Sequence, residues 1–99
     1  MVESYRIRAA AVRDLDQIWL YGAEQYSQNR ADLYDIELHE AFERVAKFPE
    51  IGRELFDVAR NVRFLVVRSH IIVYQPKPVE IIRVLHQRSD WMQTIGSVS

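Results

Sequence analysis

With 99 residues, 48% of them hydrophobic and 27% charged, and only three Gly and three Pro, the chain has room for one globular domain over 1–99 and little room for linkers or low-complexity segments. It has no cysteine, which excludes a disulfide scaffold, suits a reducing compartment and leaves stability to a hydrophobic core or a partner. The net charge of −1 hides an asymmetry, six basic and ten acidic side chains in 1–50 against seven basic and four acidic in 51–99; it lacks the basic bias usual in nucleic-acid binders, which leans towards a protein target while leaving RNA open.

The segment Met1 to Ala10 carries Glu3, Arg6 and Arg8 and no long apolar run, so neither a signal peptide nor a membrane anchor is expected, and the cytoplasm is the default location. Tyr5, Ile7 and Ala9 alternate with Arg6 and Arg8, the period-2 pattern of a half-buried strand. Val12, Leu15, Ile18, Trp19, Ala23 and Tyr26 then recur at helical spacing, with Asp14 and Asp16 expected in or near the first turn, where negative charge suits the helix dipole. Ser27 and Asn29 are candidate caps for a second helix. Its apolar stripe is Tyr34, Leu38, Ala41, Phe42, Val45 and Phe48, and Asp32, Asp35, Glu37, Glu40 and Glu43 fall largely outside it. Pro49 disfavours helical backbone in the residue before it, so the helix should end near Lys47 or Phe48. A connection of only a few residues makes the two helices an antiparallel hairpin.

Pro49-Glu50-Ile51-Gly52 is a turn, and an irregular stretch is expected from there to Asn61. Three β-rich runs follow: Val62 to Arg68, His70 to Gln75 and Val79 to His86. The short breaks at Ser69 and Pro76-Lys77-Pro78 make them consecutive hairpins. The expected fold is α+β, in the order β-α-α-β-β-β, with the helical hairpin packed on a four-stranded antiparallel sheet. Counting reversals places the first strand antiparallel to the second and fourth. Asp90 to Ser99 should cap a short turn or helix and then become a small polar tail, frayed at its end.

His39, His70 and His86 are scattered and lack cysteine support, so no metal site is expected, and isolated glycines offer no cradle for a phosphate cofactor; none is expected. His70 and His86 beside Arg63, Arg68 or Arg83 would suit RNA cleavage, with imidazole moving protons and guanidinium stabilising a phosphorane. The plainer reading, which the sequence favours, is that His86 hydrogen-bonds at a strand end and the arginines pair with the acidic helices. Trp19, Tyr21, Tyr26 and Tyr34 read either as inter-helix packing or as an aromatic groove for a partner segment. Trp91 and Met92 either fold back on the core or form a contact surface.

An ordered set of landmarks resembles the ParE branch of the RelE/ParE toxin superfamily: Asp14-Leu15 with Ile18 and Tyr21, then Pro49 with Gly52-Arg53, then Arg63, Arg68, His70 and Tyr74, and last Ile82-Arg83-Val84-Leu85-His86 with Asp90. The resemblance spans Tyr5 to Asp90. It implies a plasmid-stabilising toxin of a type II toxin–antitoxin pair, one that inhibits DNA gyrase by binding, is neutralised by a ParD-like antitoxin, and meets DNA only through antitoxin or gyrase, with no membrane. Under it, Trp19, Tyr26, Tyr34, Arg68 and Arg83 are the expected antitoxin contacts. Arg88, Trp91 and Met92, with Lys77 in the proline turn, are the expected target contacts. The RelE branch instead implies a ribosome-dependent mRNA endonuclease, here using His70, Arg83 and His86. The tail from Met92 to Ser99 has no Lys, Arg, His or Tyr, which with the net charge favours ParE-like action. A third possibility is a regulatory member that binds antitoxin only. The chain departs from the ParE pattern at the inter-helix turn, with Tyr26-Ser27 where Trp-Gly is common, and in its Pro-Lys-Pro turn.

Overall fold

The computed structural model describes residues 4–55 and 61–98. Part of the expected irregular stretch (56–60), the first three residues of the expected leader-free N-terminus and Ser99 of the expected frayed tail lie outside the described residues. Strand β1 (Arg6–Ile7) leads into helix α1 (Ala9–Gln25) and helix α2 (Gln28–Lys47). Strands β2 (Arg53–Glu54), β3 (Arg63–Val67), β4 (His70–Pro76) and β5 (Val79–His86) follow, and helix α3 (Trp91–Val98) closes the chain.

Local chemistry explains the helix boundaries. Arg8 is still extended, and its carbonyl accepts from the Ala11 and Val12 amides. Helix α1 therefore begins at Ala9, where the sequence pattern placed a strand residue, because Ala9, Ala10 and Ala11 form a run of the strongest helix former. That earlier start moves Asp14 and Asp16 out of the first turn. Ser27 caps α2 as expected, its hydroxyl accepting from the Arg30 amide at 3.1 Å. The helix stops at Lys47, before Phe48-Pro49. Phe48 lies beyond that last turn and is exposed, not part of the buried stripe.

The helical hairpin packs on a five-stranded sheet of order β1-β5-β4-β3-β2. β2 to β5 pair antiparallel, but β1 runs parallel to β5, correcting the antiparallel direction that counting reversals predicted. The cause is β2. Arg53 and Glu54 pair with Phe64 and Arg63 inside the stretch read as irregular, and this extra reversal inverts every later strand relative to β1.

The sheet is buried on both faces. On one, Leu15, Leu38, Phe42 and Val45 of the hairpin pack against Ile72, Tyr74, Ile81 and Val84. On the other, Trp91 and Ile95 of α3 cover Ile71, Val73 and Ile82, with the Trp91 ring 5.0 Å from that of Phe64. The segment after Asp90 is thus a packed helix rather than a loose polar tail. Gly52 is needed where the turn after α2 meets the sheet: an added Cβ would sit 2.5 Å from the Tyr74 hydroxyl and 2.8 Å from the Phe64 carbonyl. Among the described residues, no helix is long and apolar enough to cross a membrane.

Candidate functional site

The closed end of the hairpin and the ends of β3, β4 and β5 enclose an open groove of about 990 Å³. Asp14, Ile18 and Tyr21 line it from α1, and Arg30, Leu33 and Tyr34 from α2. The β3–β4 turn at Arg68-Ser69 and the strand ends at His70 and Val84–His86 complete it. Tyr21, Tyr26 and Leu33 are about two-thirds exposed, at 64%, 66% and 64%, so its rim is apolar and open to water.

Its polar groups largely satisfy one another. β5 carries a bulge: Ile81 pairs with Tyr74 and Arg83 with Val73, leaving Ile82 unmatched. Arg83 then reaches α1, donating through Nε and Nη2 to the two carboxylate oxygens of Asp14 at 2.7 and 2.8 Å. The Val84 amide donates to the same carboxylate at 2.9 Å. Asp14 thereby caps β5 beyond the two residues that β1 pairs, and its hydrogen bonds hold the Arg83 pKa above its ordinary value. Across the groove, Arg68 donates twice to Glu37, at 2.6 and 3.0 Å, and this pulls the Glu37 pKa down. Arg68 adopts a φ of 52°, a left-handed backbone that side chains other than Gly and Asn rarely take.

His70 and His86 face each other across β4 and β5, their rings 5.2 Å apart and edge to face. The Tyr34 hydroxyl lies 2.7 Å from His70 Nδ1 and 3.3 Å from the Val67 carbonyl. The hydroxyl thereby ties the His70 ring to the end of β3, and the ring's tautomer sets which partner donates in the Nδ1 contact. Burial first, and then the neighbouring His86, lower the His70 pKa to about 4, so its ring is neutral at physiological pH. His86 Nδ1 accepts from the Arg88 amide at 3.0 Å. The sheet therefore brings together the two histidines named for RNA cleavage, while Arg83, named with them, has its guanidinium engaged by Asp14.

Of the residues named as antitoxin contacts, Tyr26, Tyr34 and Arg68 line the groove. Arg83 stands behind Asp14, and Trp19 bridges the helices, its Nε1–H donating to Asp32 at 2.8 Å. Those named as target contacts are dispersed. Arg88 and Met92 are exposed, Trp91 is buried against the sheet, and Lys77 sits in the turn at the other end of β5. Arg30 and Leu33 were not singled out from sequence; Leu33 is an aliphatic residue outside the stripe of α2, which was the available sign. Among the described residues, no group of three or more His, Asp or Glu side chains is placed to hold a metal ion.

The family model described as ParE toxin of type II toxin-antitoxin system, parDE, matches residues 5–91. Toxin ParE1 of Caulobacter vibrioides is 34% identical over 96 residues, 96% of this chain and all of that one. Toxin ParE1 of Mycobacterium tuberculosis is 32% identical over 93 residues, covering 91% of this chain and 95% of that one. A solved structure described as the chromosomal ParDE TA system from P. aeruginosa superposes with a TM-score of 0.73 over 86% of this chain and 96% of that one; at 17% identity this likeness concerns the fold.

Proposed function

The chain belongs to the ParE toxin family of type II toxin–antitoxin systems, and on that footing we propose that it inhibits DNA gyrase by binding and is silenced by a ParD-like antitoxin lying in the groove. The observation that carries this is the groove's division of labour. Its carboxylates and its half-buried imidazole are tied up internally, while Tyr21, Tyr26 and Leu33 stand open. Open aromatic and aliphatic side chains around satisfied polar groups suit a polypeptide partner better than a reacting small molecule. Such a toxin acts in the cytoplasm and meets DNA only through gyrase or the antitoxin. Tyr26, Tyr34 and Arg68 are the antitoxin contacts in this scheme, and Arg88 with Met92 offers an exposed surface for the target. The test is a supercoiling assay with purified gyrase: loss of supercoiling is expected, and full activity at micromolar toxin would refute it.

One observation favours a second reading. The His70–His86 pair sits at the groove wall with one imidazole held neutral, an arrangement able to move protons in RNA cleavage. Under it, induction would produce cut transcripts, and His86→Ala would abolish them without unfolding the protein. Uncut transcripts during growth arrest would eliminate it.

A further inference from the structure

The charged side chains of the groove are unequally committed. Asp14 is engaged by Arg83 and the Val84 amide, and Glu37 by Arg68. Arg30 has no such partner. Its guanidinium lies 5.4 Å from the centre of the Tyr26 ring, and among the described residues it forms no ion pair. A guanidinium stacked on a ring keeps its N–H donors directed outward around its edge, ready for a bidentate acceptor. Beside it, Tyr26 and Leu33 form, with Tyr21, the exposed apolar part of the rim. Opposite, the Arg68 side chain is 68% exposed but donates twice to Glu37, so its charge is already matched within the groove. Arg68 also holds its left-handed backbone at this rim, and such strain concentrates where side chains are displayed for recognition.

We infer that Arg30 anchors a carboxylate of the polypeptide segment that fills the groove, so that this segment is apolar on one side and carries an Asp or Glu at the margin facing the hairpin tip. The inference rests on the groove being the seat of the antitoxin and adds the chemistry of its occupant. Charge complementarity argues for it: with Asp14 and Glu37 neutralised in place, Arg30 is the surplus cation among the described residues that line the groove. The surrounding tyrosines and Leu33 favour a carboxylate borne on an apolar peptide over a free anion, which would leave that surface wet.

Fluorescence anisotropy with short synthetic amphipathic helical peptides tests this. Each carries leucines on one face and a single glutamate walked along the margin of that face, with a glutamine peptide as its control. In the best register, glutamate should bind about three- to fivefold more tightly than glutamine, the range of an exposed ion pair. That advantage should vanish in Arg30→Ala and turn into a preference for a lysine peptide in Arg30→Glu. Leu33→Ala should weaken glutamate and glutamine peptides alike. No difference in any register, or a difference that survives Arg30→Ala, overturns the inference. Growth arrest and supercoiling are scored separately on the wild-type chain. Arrest without glutamate preference would remove this inference alone. An Arg30-dependent preference without gyrase inhibition would support it while removing the gyrase assignment.

Discussion

Single side chains here do work that their own elements cannot do. The Tyr74 hydroxyl, from the middle of β4, donates to the Pro49 carbonyl at 2.7 Å and accepts from the Gly52 amide at 2.8 Å, pinning the turn after α2. Tyr74→Phe keeps the ring but strands both backbone groups, and should cost about 2 kcal/mol in urea denaturation. Asp14 joins residues 69 apart in sequence by its bonds to Arg83. Asp14→Ala leaves a partly buried guanidinium and the Val84 amide without their acceptor, and a loss of roughly 2 kcal/mol is expected. Asp14→Ala and Arg83→Ala together should cost less than the sum of the two, as a double-mutant cycle would measure. His70 links stability to pH. Its folded pKa of about 4 lies below the ordinary 6.5, so the unfolded chain takes up a proton first as pH falls. The stability owed to the neutral ring is complete above pH 6.5 and drains away towards pH 4. Because the ring is only partly buried, roughly 1–2 kcal/mol should be lost over that window. His70→Gln should flatten this part of the pH–stability curve, and an unchanged slope would contradict the assignment.

At the scale of elements, α3 decides what the sequence left open, a turn or a helix that either folds back on the core or stands as a contact surface. The sequence after Asp90 is short and mostly small or polar, yet Trp91 and Ile95, four residues apart, share one face and bury themselves on the sheet. Trp91→Ala should therefore act first on stability, by about 3 kcal/mol in denaturant titration. A stable Trp91→Ala protein that had lost only its effect on gyrase would instead place Trp91 in the target contact. The sign of a second buried face was present in β4, where Ile71, Ile72, Val73 and Tyr74 form an unbroken apolar run; a strand wet on one side alternates instead. β2 escaped detection for another reason. It has two residues, too few to display a period, and it exists because the free edge of β3 was available to pair with, whereas β1 lies within the run of alternating residues that marked it.

For the molecule as a whole, one layer of helices, a sheet and a third thin layer from α3 make a sandwich in which the sheet is the interior. The hairpin and the strand ends diverge at one end, and this divergence leaves the groove. Acidic side chains gather on the hairpin and basic ones on the later half of the chain, and under the proposed function this charge gradient would help steer the antitoxin to the groove. Antitoxin binding should accordingly weaken as salt is raised from low to physiological concentration, and calorimetry across that range checks it. Binding indifferent to salt would mean that the apolar rim acts alone.

The sequence by itself determined the helices, the stop at Phe48-Pro49, the cap at Ser27 and the three-strand meander, because each depends on periodicity or turn chemistry within a few residues. The ordered landmarks likewise made the family legible. Tertiary structure alone decided the direction of β1, the pairing of Asp14 with Arg83, the burial of the second sheet face and which aromatic residues remain open. These depend on contacts between residues far apart in the chain, and a single extra reversal of two residues was enough to invert the strand direction that local patterns implied.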